Sequence, residues 1–125
     1  MRRLTAQWVR KAESDFGVAN LIAGGSDPHH DEVCFHSQQC IEKYLKALLV
    51  EIGLSVPRTH ILEDVITMLL PNFSILRSFR KGARFLTRFA VATRYPGKNA
   101  TKREATSALR WAGKIRMAAR TLLGL

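Results

Sequence analysis

The sequence predicts an all-α fold, an up-and-down bundle of about five helices. Three observations carry that expectation. Apolar residues recur every three or four positions along almost the whole chain, the period of a helix with one buried face. Gly24-Gly25, Gly53, Pro57, Pro71 and Pro96-Gly97 punctuate it into segments of helical length. No stretch alternates apolar and polar residues with the period of two that a half-buried strand requires.

The first helix is expected over residues 5–23, where Trp8, Ala12, Phe16 (or Asp15), Ala19 and Ile22 share a side and Gly24-Gly25 ends the run. The loop 26–30 leads to a long second helix over 31–52, with Val33, Ile41, Tyr44, Leu45, Leu48 and Ile52 on a broad face and Gly53 behind it. Pro57 biases Val56 towards extended geometry, so residues 54–59 form a connector. A short third helix over 60–70 closes at Pro71. A fourth over 74–92 turns Ile75, Leu76, Phe79, Ala83, Leu86 and Ala90 inward, until Arg94-Tyr95-Pro96-Gly97 breaks it. Residues 98–100 are loop. Thr101 and Glu104 then have capping-box spacing, the hydroxyl and the carboxylate each satisfying an orphan amide. The last helix runs to about residue 122 and buries Ala105, Ala108, Ala112, Ile115 and Ala119.

With 46% apolar and 24% charged residues in 125, the composition fits a single globular domain over 1–125 and not a disordered segment. No apolar stretch follows Met1-Arg2-Arg3, and runs such as 47–50 fall far short of the ~20 residues that span a bilayer. A cytoplasmic protein with no membrane partner is expected. Cys34 and Cys40, six apart in one helix, point in different directions and read as small buried hydrophobes rather than a disulfide.

Charge is distributed unevenly. Residues 1–76 hold seven Lys/Arg against nine Asp/Glu, whereas residues 77–125 hold thirteen against Glu104 alone. A one-sided positive field of that kind raises encounter rates with polyanions. On a helical wheel Arg77, Arg80, Lys81, Arg84 and Arg88 fall within roughly 100° of arc, opposite the apolar stripe of the fourth helix. Like charges at this spacing destabilise an isolated helix, and no acidic residue on the same helix relieves them. An anionic counterpart is therefore expected, either outside the chain or from acids of the first helix such as Glu13 and Asp15. Arg103, Arg110 and Lys114 form a second row on the last helix. Membrane-surface binding is the weaker use, because the apolar face that would enter lipid is needed for the core.

The second helix carries HSQQCIEKYLKALLVEIG, the following segment reads VPRTHILEDVITML, and ATRYPGKN follows the fourth helix. Together with the long helical C-terminus these segments resemble the HEPN domain, a small helical family of prokaryotic toxin–antitoxin and defence operons and of some nucleotide-binding eukaryotic proteins. QQ..EK.LKALL could arise in any amphipathic helix; its conjunction with RTH and RYP at these distances carries the likeness. The resemblance implies an up-and-down bundle, a homodimer, and a minimal nucleotidyltransferase as partner. It also implies metal-independent RNase chemistry by an Arg followed roughly four to six residues later by a His, the imidazole moving a proton and the guanidinium steadying phosphate charge. Arg94 matches that Arg. Asn99 stands where the His belongs, followed by Ala100 and Thr101. A carboxamide can hydrogen-bond a phosphate or ribose but has no proton to exchange near neutrality. General acid–base catalysis contributes roughly 10²–10⁴-fold, so RNase activity is expected to be absent or severely reduced.

His29, His30, Asp31 and His36 do not make a metal site: two are neighbours in a polar loop, and His36 with Cys40 is half a clip at best. Neither metal nor cofactor is expected. A Gly-rich phosphate loop, a Ser/His/Asp arrangement and a Cys-x-x-Cys pair are all missing, so other enzyme classes have no foothold. His60 reads as a helix-start residue or as a substitute proton carrier. Gln38, Glu42 and Arg58 read as a buried polar network or as pocket lining, with Gln39, Lys43 and Lys46 projecting to solvent or to a dimer partner. Trp8 and Trp111 are expected in the core, and Tyr95 at a helix end or stacked on a base. The leading expectation is a catalytically degenerate HEPN-like module presenting Arg77, Arg80, Lys81, Arg84, Arg88, Arg94, Tyr95, Lys98 and Asn99 to RNA or a nucleotide. The alternatives are an active RNase toxin using His60, and a dimeric adaptor meeting an acidic protein.

Overall fold

A computed structural model describes residues 1–91 and 95–125, whose regular structure is all helical, with no strand among them. The helices are α1 (Arg3–Ala23), α2 (His30–Glu51), α3 (Leu62–Leu69), α4 (Arg80–Thr87) and α5 (Lys102–Leu122), with a 3₁₀ segment at Ser74–Phe79. The predicted capping box is present: the Thr101 hydroxyl accepts from the Glu104 amide and the Glu104 carboxylate accepts from the Thr101 amide.

α2 is the central post and packs against each of the other four α-helices. Its apolar face is therefore wider than one stripe: Val33, Cys34, Ile41, Tyr44, Leu45, Leu48 and Leu49 are all buried. α1 runs antiparallel to it, so the Arg2 amide and the Thr5 hydroxyl at one end of the chain both reach the Glu51 carboxylate. Leu62, Val65, Ile66, Leu69, Leu76, Leu86 and Ile115 complete one continuous core with the alanines of α1 and α5. Each fully buried Leu or Ile contributes about 1.5–3 kcal/mol, while small alanines bring helix axes close. α4 and α5 approach closely at Gly82, where a Cβ would overlap the Trp111 ring.

The single fourth helix expected over 74–92 is two pieces. The segment from Ser74 winds as a 3₁₀ helix, and the chain turns at Phe79 before α4 begins. A 3₁₀ helix has three residues per turn, so a wheel drawn at 100° per residue misplaces its side chains progressively. Ile75, expected inside, is 58% exposed. Smaller departures share a cause in α2's central place. Lys43 and Lys46, expected to project to solvent or to a dimer partner, are half-buried, their ammonium groups held by Asp15 and Glu42. His36 likewise bonds Asp15, at 2.8 Å. Trp8 and Trp111 are half-buried at the edge of the core, under Lys46 and Lys114 respectively. Cys34 and Cys40 are buried and unbridged.

Candidate functional site

The loop that carries the HEPN-like motif is fixed at one end by chemistry that the sequence supplies locally. Gly97 takes a positive φ of 85°, a turn conformation that glycine enters without strain, and the Lys98 amide closes the turn on the Tyr95 carbonyl. The Ala100 amide then donates to the Asp31 carboxylate at 2.6 Å. That bond pins the loop to the first turn of α2, immediately before the capping box starts α5. Asn99 consequently lines a small polar pocket of about 230 Å³ with Pro28, His29, His30, Asp31, Glu32 and Ala100. Tyr95, Lys98 and Asn99 are all exposed. Arg94, the residue that matches the motif's Arg, lies outside the described residues.

The two imidazoles lining the pocket with Asn99 are His29 and His30, whereas His60 is elsewhere. His60 Nδ1 sits 2.7 Å from Glu42 Oε1, and Glu42 is eleven residues along α2 from Asp31, about 16 Å at 1.5 Å per residue. His60, read from the sequence as a substitute proton carrier, does not line the pocket that holds Asn99. The chain reverses between α1 and α2 and brings its 28–30 segment to the loop, a closure that helical periodicity does not register.

Glu42 is the hub of a separate network. Burial alone would raise its carboxyl, but hydrogen bonds from Lys46, His60 and Gln38 outweigh burial and hold it below the usual carboxylate range. Arg58 stands outside this network: it is exposed and makes no hydrogen bond or ion pair among the described residues. The connector bends at Arg58 and leaves its side chain exposed, so His60 and Lys46 take the place expected for Arg58.

The five cations of residues 77–88 are not one continuous helical row. Arg77 belongs to the 3₁₀ segment, Arg80, Lys81 and Arg84 to α4, and Arg88 to the turn after it. Arg84 pairs with Glu63 of α3 at 3.5 Å, Arg88 with Glu104 at 2.7 Å, and Arg80 donates to Thr67 at 3.0 Å. The intramolecular partners are thus Glu63 and Glu104, not the first-helix acids. Glu13 instead accepts from Arg116 and Tyr44, and Asp15 from Lys43. The Arg84 and Arg88 side chains remain 74% and 57% exposed, so each pair is worth a fraction of a kcal/mol and yields readily to a stronger anion. Arg77 and Lys81 are exposed with no ionic partner among the described residues.

No cluster of three or more His, Cys, Asp or Glu among the described residues is arranged to hold a metal ion. None of their helices is long and apolar enough to cross a membrane.

The sequence model of the HEPN domain matches residues 5–122. The chain belongs to the HEPN domain family. This HEPN fold is shared with the crystal structure of TT1696 from Thermus thermophilus, at a TM-score of 0.82 and 26% identity over 97% of this chain and 98% of that one. ST0689, described as an archaeal HEPN homologue, matches at a TM-score of 0.76 and 27% identity over 98% of both chains. A protein of Methanocaldococcus jannaschii named "Putative toxin MJ1304" is 30% identical over 74 residues, 59% of this chain. The matched stretch is 47% of that relative, so the chain spans about half the length of the curated relative it matches.

Proposed function

We propose that this HEPN chain is a catalytically degenerate binding module, one domain over 1–125, that presents its cationic 77–98 segment to RNA or a nucleotide. The observation that carries the reading is the thirteen-to-one excess of Lys/Arg over Asp/Glu after residue 76, with Arg77, Lys81, Arg84, Arg88 and Lys98 all exposed. Tyr95, 64% exposed beside Lys98, offers a stacking surface in the same loop. Asn99 hydrogen-bonds but does not shuttle protons, which supports binding without turnover. In this reading the chain is a homodimer acting beside a minimal nucleotidyltransferase in a toxin–antitoxin or defence system, and the relative named as a toxin supports that setting.

One observation favours an active RNase instead. His29 and His30 line the same pocket as Asn99 and could carry the proton that Asn99 cannot. Incubation of the purified chain with labelled single-stranded RNA separates the two readings. The binding module retards the RNA in a salt-dependent manner and leaves it full length. Discrete fragments that vanish in a H29A/H30A variant would establish the RNase and sink the degenerate reading.

A further inference from the structure

α1 and α5 flank α2 and are tied together at Glu13. Its carboxylate accepts two hydrogen bonds from Arg116, at 2.6 and 2.7 Å, and the same guanidinium lies 4.5 Å from the Phe16 ring centre. Beyond Phe16 the two helices stay apart. A groove of about 620 Å³ opens between them, with residues 25–29 lining its other end. Phe16, Ile22, Val33, Ala105 and Leu109 give it an apolar floor. Its walls differ in charge. On the α5 side Lys102, Thr106 and Arg110 follow one another at i, i+4 and i+8, a row about 12 Å long. On the α1 side stand Asn20 and Ala23, which are neutral, and the one carboxylate of the lining, exposed Asp27, lies in the 25–29 segment at the groove's other end. Lys102 and Arg110 are exposed and make no ion pair among the described residues, although Arg116 and Arg120 of the same helix both do.

We propose that this groove docks an acidic amphipathic helix of a partner polypeptide. An apolar trough bounded by two helices accepts side chains at i, i+3 or i+4, and i+7 from an incoming helix. Carboxylates two turns apart on that helix fall about 11–12 Å from one another, the separation of Lys102 and Arg110 along α5. Other occupants fit less well. RNA would meet the two cations and leave the apolar floor unused. A small ligand needs polar groups that converge on it, whereas here every polar lining residue except the half-buried His30 stands exposed on the rim. A second copy seated groove to groove would set Lys102 and Arg110 against their own counterparts, so the homodimer of the proposed function uses another face. The groove shares Pro28, His29 and His30 with the Asn99 pocket but uses none of residues 77–98, so the proposed RNA surface and the groove can fail separately.

The test is an NMR titration of the isotopically labelled full chain with a synthetic helical peptide of about 15 residues, carrying Leu at i, i+4 and i+7 and two flanking Glu residues two turns apart. Saturable binding is expected, with amide shifts confined to residues 16–33 and 102–110. K102E/R110E changes two exposed side chains, should keep the wild-type circular dichroism spectrum, and should weaken binding by about tenfold or more. A peptide with Lys in place of the two Glu residues should bind that variant better than wild type. The proposal is overturned by shifts that map elsewhere, by no saturation at about millimolar peptide, by equal affinity of the Lys peptide for wild type, or by a single-stranded RNA that shifts the same amides and displaces the peptide.

Discussion

Glu13 shows how a single residue couples three helices. Its carboxylate on α1 accepts from Arg116 of α5 and from the Tyr44 hydroxyl of α2, and Arg120 approaches to 3.7 Å. The Arg116 hydrogen bond, with the Tyr44 bond and the charges of Arg116 and Arg120, outweighs burial and draws the carboxyl from 4.5 down to about 2. Burial, and then the bond to Glu13, push the Tyr44 hydroxyl up to about 12. The folded value of Glu13 lies below the unfolded one, so its contribution is complete above about pH 4.5 and disappears as pH falls towards 2. With the side chain 33% exposed, screening reduces that contribution to about 1–2 kcal/mol. Glu13→Gln should therefore lower Tm by several degrees at pH 7 and flatten the decline of Tm between about pH 5 and 2. Thermal unfolding at a series of pH values checks this; an acid slope as steep as that of wild type would remove Glu13 from the account. The thiols give a second expectation. Burial pushes Cys34 up to about 12 and Cys40 higher still, so iodoacetamide at neutral pH should label neither until denaturant is added. Residue type and spacing announced that both cysteines are buried. They did not announce Glu13–Arg116, because that pair joins residues 103 positions apart and no local pattern encodes it.

Among the elements, α4 departs furthest from its sequence signature, and its packing explains the constraint on it. Helical periodicity located α1, α2 and α5 to within two residues or so, since each buries a long face and periodicity is read over several turns. The 74–92 stretch has the same apolar spacing but is divided at Phe79, which lets Gly82 slide beneath the Trp111 ring. Ala is the better helix former by about 1 kcal/mol, so on propensity alone Gly82→Ala should stabilise the chain. Overlap with Trp111 opposes this. The expected outcome is a net loss of about 1–3 kcal/mol in urea unfolding, as overpacked cores show. Trp111→Leu should recover part of it in the double variant, because two residues in contact do not act additively. If Gly82→Ala raises stability, the close approach of α4 to α5 is not what fixes glycine there. The candidate site was legible only in part for the same reason: ATRYPGKN marked the loop, but its seat on Asp31 beside His29 and His30 depends on how α1 and α2 turn.

At the scale of the whole molecule, the open question is whether net charge or its placement matters. A chain at +10 attracts any polyanion weakly, wherever its cations sit. The proposed interface makes a sharper claim, because Arg77 and Lys81 are exposed and unpaired whereas Glu63 and Glu104 already lie beside Arg84 and Arg88. Two paired substitutions hold net charge equal and move only its location: Arg77→Ala with Lys81→Ala, and Arg10→Ala with Lys11→Ala on α1, where both residues are also exposed. Each pair removes two positive charges. For single-stranded RNA the slope of log K against log salt changes by about 0.7 for each phosphate that the protein no longer neutralises. The first pair should therefore flatten the slope by about 1.4, and the second should leave it near the wild-type value. Fluorescence anisotropy at salt concentrations between about 50 and 200 mM resolves a change of that size. Equal flattening by both pairs would mean that RNA senses the molecule as a diffuse cation, and the 77–98 surface would lose its claim to be an interface. Flattening by the first pair alone would place the phosphates along α4 and its approach, within the stretch after residue 76 that carries thirteen Lys/Arg and one acidic residue.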